Sequence, residues 1–199
     1  LTVSDMDSIA VTINEFVVSF HPPENWNGTD SLTFTVNDNQ GRAIASDMVG
    51  VIVTPVNDAP VIVDQIELST LEDSPLVIVL DSVIVTDVDN TYPDDFTLTV
   101  LGGENYTVDS TSTMITPTLD FNGDLTVPVF VDDGEPQYSQ SNTFILTVTV
   151  TPVNDAPEIV DQVELITYEE VSLEITLDSL YVTDVDDVYP DGFTLTVLE

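Results

Sequence analysis

The chain has 199 residues, with 37 Asp or Glu, one Lys or Arg and one His, for a formal charge of −36. Nucleic acid and anionic lipid are bound through Lys and Arg that displace counterions. Arg42 stands alone in that role, so neither polyanion is expected as a partner. Yet 42% of the residues are hydrophobic, enough for packed cores instead of a disordered acidic tail. Cysteine is absent, which removes a disulfide framework. So many like charges repel, and with no basic side chains the relieving cations must come from solution. Metal at defined sites and general salt adaptation of a solvated acidic face both satisfy that requirement.

In chain order, residues 1–57 open with Leu1-Thr-Val3 and pass the loop-like His21-Pro-Pro23 and the turn Asn25-Trp-Asn27-Gly28. A linker, Val53-Thr-Pro-Val-Asn-Asp-Ala-Pro60, follows, stiffened by the fixed φ of Pro60. Runs rich in Val, Ile, Thr and Leu then predict strands over Val61 to Leu68, Pro75 to Leu80, Phe96 to Leu101, Leu125 to Val131 and Thr143 to Thr151. In Phe96-Thr-Leu-Thr-Val the alternation puts Phe, Leu and Val on one face. Turn clusters separate the runs: Glu72-Asp-Ser-Pro75, Asn122-Gly and Asp133-Gly. No stretch has helical periodicity with caps. The longest apolar runs have strand length, so no membrane insertion is expected in this stretch.

The linker then recurs as Val150-Thr-Pro-Val-Asn-Asp-Ala-Pro157, 97 residues on. Between 51–102 and 148–199 the offset holds without a gap, and 36 of 52 positions are identical. That period is too long for a solenoid unit and matches a folding domain. We expect the C-terminal part of one repeat over 1–57, a complete repeat over 58–154 and the N-terminal part of the next over 155–199. Seven strands per period fit an all-β chain of tandem Greek-key β-sandwich domains of immunoglobulin type. Neither partial repeat is expected to be stable without its missing strands.

Two acidic pairs recur with the linkers. Asp87-Val-Asp89 and Asp184-Val-Asp186 each begin 29 residues after a linker Asp. At the end of an extended strand both Asp side chains would leave one face, with Val88 directed into the core. Like charges at that spacing repel unless a cation lies between them. Calcium takes six to eight oxygens from carboxylates, Asn amides and main-chain carbonyls. Asn57, Asp58, Asp87 and Asp89 supply that donor type. The EF-hand pattern does not fit, since Asn90-Thr91 and Asp187-Val188 follow the two pairs.

Together the Pro-Val-Asn-Asp-Ala-Pro linker and the Asp-x-Asp pairs resemble the cadherin fold, above all the cadherin-like tandem repeats of large bacterial surface adhesins. The resemblance covers the complete repeat and both partial ones. It implies calcium between successive repeats, held by the base of one repeat, the linker and the top of the next. The first junction would use Asn57, Asp58, Asp87, Asp89 and Asp132, the last from Asp132-Asp133-Gly134. The second would use Glu72, Asp120, Asn122, Asn154, Asp155, Asp184 and Asp186, with Glu169 as the counterpart of Glu72 in the next repeat. The sequence departs from the family in places. Thr, Pro or Ala flank the Asn-Asp pair, and Leu119-Asp120-Phe-Asn122 carries Asn where the family has Glu. Fewer or weaker ions per junction than the family's three are therefore expected.

The function implied is a calcium-stiffened structural or adhesive array of an extracellular, cell-surface protein or fibre. Its partners would be neighbouring repeats, other copies in a fibre, or a cell-surface or glycan ligand. The alternative is a tandem carbohydrate-binding module, with Trp26 stacking on sugar. Trp26 occurs once and Phe121 takes its place in the next repeat, which favours turn packing. An enzyme is not expected: there is no Cys nucleophile, and His21 is the single His. Asn27-Gly-Thr and Asn105-Tyr-Thr match the N-glycosylation acceptor pattern.

Overall fold

Alternating apolar residues decide which face of each strand is buried, and the strands are short because turn residues interrupt them. The computed structural model describes residues 2–3, 8–15, 17–41 and 44–198; Arg42 lies outside them. The chain falls into two compact units. Leu1–Val61, Val85–Thr97 and Val131–Asn142 form one; Ile62–Ile84, Leu98–Phe130 and Thr143–Glu199 form the other.

The first unit contains β1 (Thr2–Val3), β2 (Ala10–Asn14), β3 (Val17–His21), β4 (Gly28–Asn37) and β5 (Ile44–Val53). β2 and β3 make an antiparallel hairpin, and β1, β4 and β5 make a three-stranded sheet in that order. β4 and β5 pair from Gly28↔Val53 to Asn37↔Ile44. Ile9 and Leu32 are its buried aliphatic residues nearest this sheet in sequence.

The other strands fall mostly in the second unit. They are β6 (Val61–Gln65), β7 (Leu68–Leu71), β8 (Leu76–Val77), β9 (Val83–Thr86), β10 (Thr97–Val100), β11 (Tyr106–Val108), β12 (Met114–Pro117), β13 (Gly123–Asp132), β14 (Phe144–Thr151), β15 (Glu158–Gln162) and β16 (Leu180–Thr183). One sheet runs β10-β13-β14-β7 and another β11-β12-β8, while β6 pairs with β9 and β15 with β16. The β14–β7 pairing is parallel and the other registered pairs are antiparallel. The architecture is all-β, a Greek-key β-sandwich, as expected.

The interior is aliphatic. Leu125, Val127 and Val129 of β13 and Leu146, Val148 and Val150 of β14 are buried, together with Ile62, Ile78, Val83, Val100 and Ile115. Each such side chain contributes about 1.5–3 kcal/mol when fully buried.

Nine segments between 61 and 151 stand against the seven strands expected: one named run divides in two, another is cut short, and β9, β11 and β12 fall outside the named runs. The run Val61 to Leu68 divides into β6 and β7, which join different sheets. At the crossing the Gln65 amide stands in for a strand: Nε2 donates to Thr147 O at 2.9 Å and Oε1 accepts from Thr147 N at 2.7 Å. The run Pro75 to Leu80 gives way to a 3-10 turn over Leu80–Ser82. There Ser82 Oγ accepts the N–H of Val79 at 3.1 Å. Leu177–Ser179 repeats the turn, with Ser179 Oγ accepting from Thr176 N at 3.1 Å. Identical Leu-Asp-Ser sequences thus make identical turns.

Candidate metal centre

Each unit contains one linker with its acidic pair. In the first unit β9 ends at Thr86, so Asp87-Val88-Asp89 is a turn and not a strand end. Asp87 Oδ1 accepts the N–H groups of Asp89 and Asn90, both at 2.8 Å. This corrects the expectation for Val88, which is 59% exposed instead of lying in the core. The local aspartate turn outweighs the strand period. Folding back frees Asp89 to reach the linker: its Oδ2 accepts the N–H of Asp58 at 2.7 Å.

Asn57, the other linker residue, donates from Nδ2 to Asp133 Oδ2 at 2.9 Å and to the carbonyls of Gln137 and Tyr138 at 3.2 Å. The Asp in contact with the linker is therefore Asp133, which is buried. Asp132 instead accepts from Gly134 N at 2.9 Å and Ser139 Oγ at 3.0 Å. An open cleft of about 250 Å³ adjoins this linker, lined by Pro22, Asn25, Trp26, Asn27, Asp58 and Asp89 among others. Trp26 lies over Gly28, whose φ is +145°, 3.4 Å from where a Cβ would stand. Phe121 lies over Gly123 in the same way at 3.8 Å. The aromatic ring at this phase packs its own turn, which speaks against a sugar platform.

The second unit brings more acid together. Glu72 is 3% exposed, and its Oε1 accepts the N–H of Val153 in the linker. Oxygens of Asp73, Asp120 and Asp155 lie within 4.8 Å of one another. Asp73 and Asp120 both have left-handed φ, 57° each. Asp73 Oδ1 accepts from Asp120 N at 3.2 Å, fixing the two loops together. Asp186 Oδ2 accepts from Asp155 N at 2.7 Å, and Asp184 Oδ1 accepts from Asp186 N and Asp187 N at 2.9 Å. The bonds of the acidic pair, within its turn and to the linker Asp, repeat those of the first unit. Asn154 turns its amide to Asp155 O at 2.7 Å, and Asn122 is exposed. Asp73 is the residue that sequence reading missed; its only signal was its place beside Glu72 in a turn.

Two oxygens test whether a cation fits. Asp87 Oδ2 and Asp155 Oδ2 are inaccessible to solvent and lack a hydrogen-bond partner. A buried carboxylate oxygen without a donor is costly, and such groups call for a counter-ion. Desolvation raises the pKa of Asp155 above the ordinary aspartate value, reinforced by the charges of Asp120, Asp186, Asp73 and Glu72. Hard oxygen donors with no competing basic group suit calcium. The residues present fit such an ion.

Residues 56–150 match the family model of the cadherin-like domain. No curated protein matches the chain. Among solved structures it is similar to mouse cadherin-23 EC22–24, at 21% identity and a TM-score of 0.42, over 76% of this chain and 53% of that one. It is similar also to human protocadherin-24 EC1–2, at 16% identity and a TM-score of 0.46, over 78% of this chain and 82% of that one. A third is Drosophila N-cadherin EC1–4, at 15% identity and 0.41, over 93% and 50%. The chain thus spans about half the length of the cadherin-23 fragment. The matched segment holds Glu72, Asp73 and Asp120, and the rest of the second acidic group follows it in the chain. Among the described residues no helix is long and apolar enough to cross a membrane.

Proposed function

We propose that the chain is part of a calcium-binding, rod-forming adhesive array of an extracellular surface protein or fibre. Its repeats would be 58–154, flanked by partial repeats over 1–57 and 155–199. The observation that carries this reading is the group of Asp73, Asp120 and Asp155, with oxygens within 4.8 Å of one another and no basic side chain among them. Asp155 Oδ2, buried without a donor, supports it. Glu72, Asp73, Asp120, Asp155, Asp184 and Asp186 would hold the ion or ions at the second linker. Asp58, Asp87, Asp89 and Asp133 would do so at the first, with Asn57 orienting Asp133.

Calcium would supply the positive charge and the several oxygen contacts that this chain lacks. The protein's own part is to hold the linker still. Asp89 and Asp186 each fix a linker N–H, and Glu72 fixes a third. Without the ion the carboxylates repel and the linker bends. With it, the repulsion among these carboxylates is relieved, both repeats and the linker share one centre, and the array stiffens. The adhesive ligand would be carried by such a rod.

A thermal melt at constant ionic strength tests this. Calcium should raise the midpoint, by the equivalent of about 2.7 kcal/mol at a hundredfold excess over Kd. Magnesium should not reproduce the shift, and Asp155→Asn should remove most of it. Identical curves in calcium and in matched monovalent salt would mean salt adaptation and refute the calcium centre.

A further inference from the structure

Asn27 and Asn122 are the asparagines of this chain that precede a glycine. They stand at matching places in two turns, Asn25-Trp26-Asn27-Gly28 and Asp120-Phe121-Asn122-Gly123. Each turn demands its glycine. Gly28 has φ +145° and Gly123 has φ +122°, a region that L side chains rarely adopt, and the aromatic ring two residues earlier lies over each. The packing of the turn therefore puts a residue without a Cβ directly after each Asn.

That sequence is chemically reactive. The main-chain nitrogen after an Asn is placed to attack the side-chain Cγ, closing a five-membered ring within one chain. The Cγ–N bond forms, the Cγ–Nδ2 bond breaks, and ammonia leaves a succinimide behind. Water then opens the ring at either carbonyl, giving aspartate or isoaspartate. One water is consumed and one ammonia released, with nothing oxidised or reduced. A Cβ on the attacking residue obstructs the approach, and glycine has none. Asparagine is among the thermolabile residues.

The surroundings separate these two asparagines from those of the linkers. Asn57 and Asn154 precede Asp, and their amides are held: Asn57 by Asp133 Oδ2 and the carbonyls of Gln137 and Tyr138, Asn154 by Asp155 O. Asn27 and Asn122 are exposed, and among the described residues their amides have no hydrogen-bond partner. Both are close to acid. Asn27 lines the cleft that contains Asp58 and Asp89. Asn122 follows Asp120 by two residues, and an oxygen of Asp120 lies within 4.8 Å of oxygens of Asp73 and Asp155.

We propose that Asn27-Gly28 and Asn122-Gly123 are self-modifying turns, which convert with time to aspartate or isoaspartate and so add negative charge beside both linkers. The charge of the linkers then records the age of the chain. The reaction needs only water, so it does not depend on the calcium reading.

The test is incubation of the 199-residue chain at mildly alkaline pH in chelator, followed by peptide mapping with mass detection. Peptides with Asn27 and Asn122 should gain the mass difference between an amide and an acid, divided between aspartate and isoaspartate forms. Those with Asn57 and Asn154 should not. The rate should rise with pH, because the attacking nitrogen must lose its proton. It should lie within about tenfold of the rate in a free peptide of residues 120–125. Asn27→Gln with Asn122→Gln should stop the gain, since Gln needs a larger ring. In chelator the aged wild-type chain should melt below the fresh one, while the aged double variant melts with its own fresh sample. Amides that stay intact after the free peptide has converted overturn the proposal. So does equal conversion at Asn57 and Asn154, or conversion that leaves the melt in chelator unchanged. Conversion in a chain that calcium does not stabilise supports this proposal and refutes the calcium centre alone.

Discussion

Glu72 and Val153 lie 81 residues apart, and the buried carboxylate of the first accepts the main-chain N–H of the second. An acid in this place ties the base of the repeat to the linker that leaves it. Glu72→Ala strands the Val153 N–H and should cost about 1–3 kcal/mol, with or without calcium. Glu72→Gln keeps an acceptor for that N–H but removes a charge. Its melt in chelator should stay near that of the parent, while its calcium-induced shift shrinks. Parallel melts of both variants separate the two roles.

Asp155 gives a pH dependence of definite sign. Its pKa is raised in the folded chain, first by desolvation and then by the surrounding carboxylates. The folded state therefore holds the proton more tightly than the unfolded state, whose value is near 3.8. The stability from this group is present below 3.8 and is lost as pH rises through the raised value. In chelator the melting midpoint should fall as pH rises through that interval. Asp155→Asn should flatten this part of the curve, and a slope that survives the substitution assigns it to other groups.

The turn Asn25-Trp26-Asn27-Gly28 matches Asp120-Phe121-Asn122-Gly123 in the next repeat, so Asn25 stands where Asp120 does. Both have left-handed φ, 59° and 57°, and both precede an aromatic residue that lies over a glycine. Asn25 lines the cleft that also contains Asp58 and Asp89. Asn25→Asp would add a carboxylate there at no backbone cost. It should increase the calcium-induced shift in midpoint and leave the chelator curve unchanged or slightly lower, as differential scanning calorimetry would show.

A Cβ added at Gly103 would stand 2.7 Å from Cε1 and Oη of Tyr106. That hydroxyl donates to Leu101 O at 2.7 Å, and its ring is buried. Gly103→Ala must push the ring aside and break the bond, at about 1–3 kcal/mol. Urea unfolding should show a lower midpoint with an unchanged slope.

The apolar strands were legible because burial follows alternation. The run Leu125 to Val131 was read as a strand, and its alternate residues Leu125, Val127, Val129 and Val131 are buried. The same alternation, carried two residues past Val131, marks Asp133 as the inward acid and Asp132 as its neighbour. The division of Val61 to Leu68 was not legible, because it depends on Gln65 meeting Thr147 across 82 residues. Val88 was misread because Asp87 binds the N–H groups that follow it, a local interaction invisible to a two-residue period. Asp73 enters the acidic group through a left-handed turn that brings it to Asp120, 47 positions away. Pattern alone holds no record of such a meeting.

The parallel register of β7 and β14, from Leu68 beside Val148 to Leu71 beside Thr151, bears on mechanical load. The chain enters this pair at one end of the ladder and leaves it at the other. Tension applied through the flanking residues pulls the two strands past each other along their length. All the ladder hydrogen bonds then resist together, whereas an antiparallel pair held at one end would unzip one bond at a time. A tether under drag or shear flow gains from that arrangement.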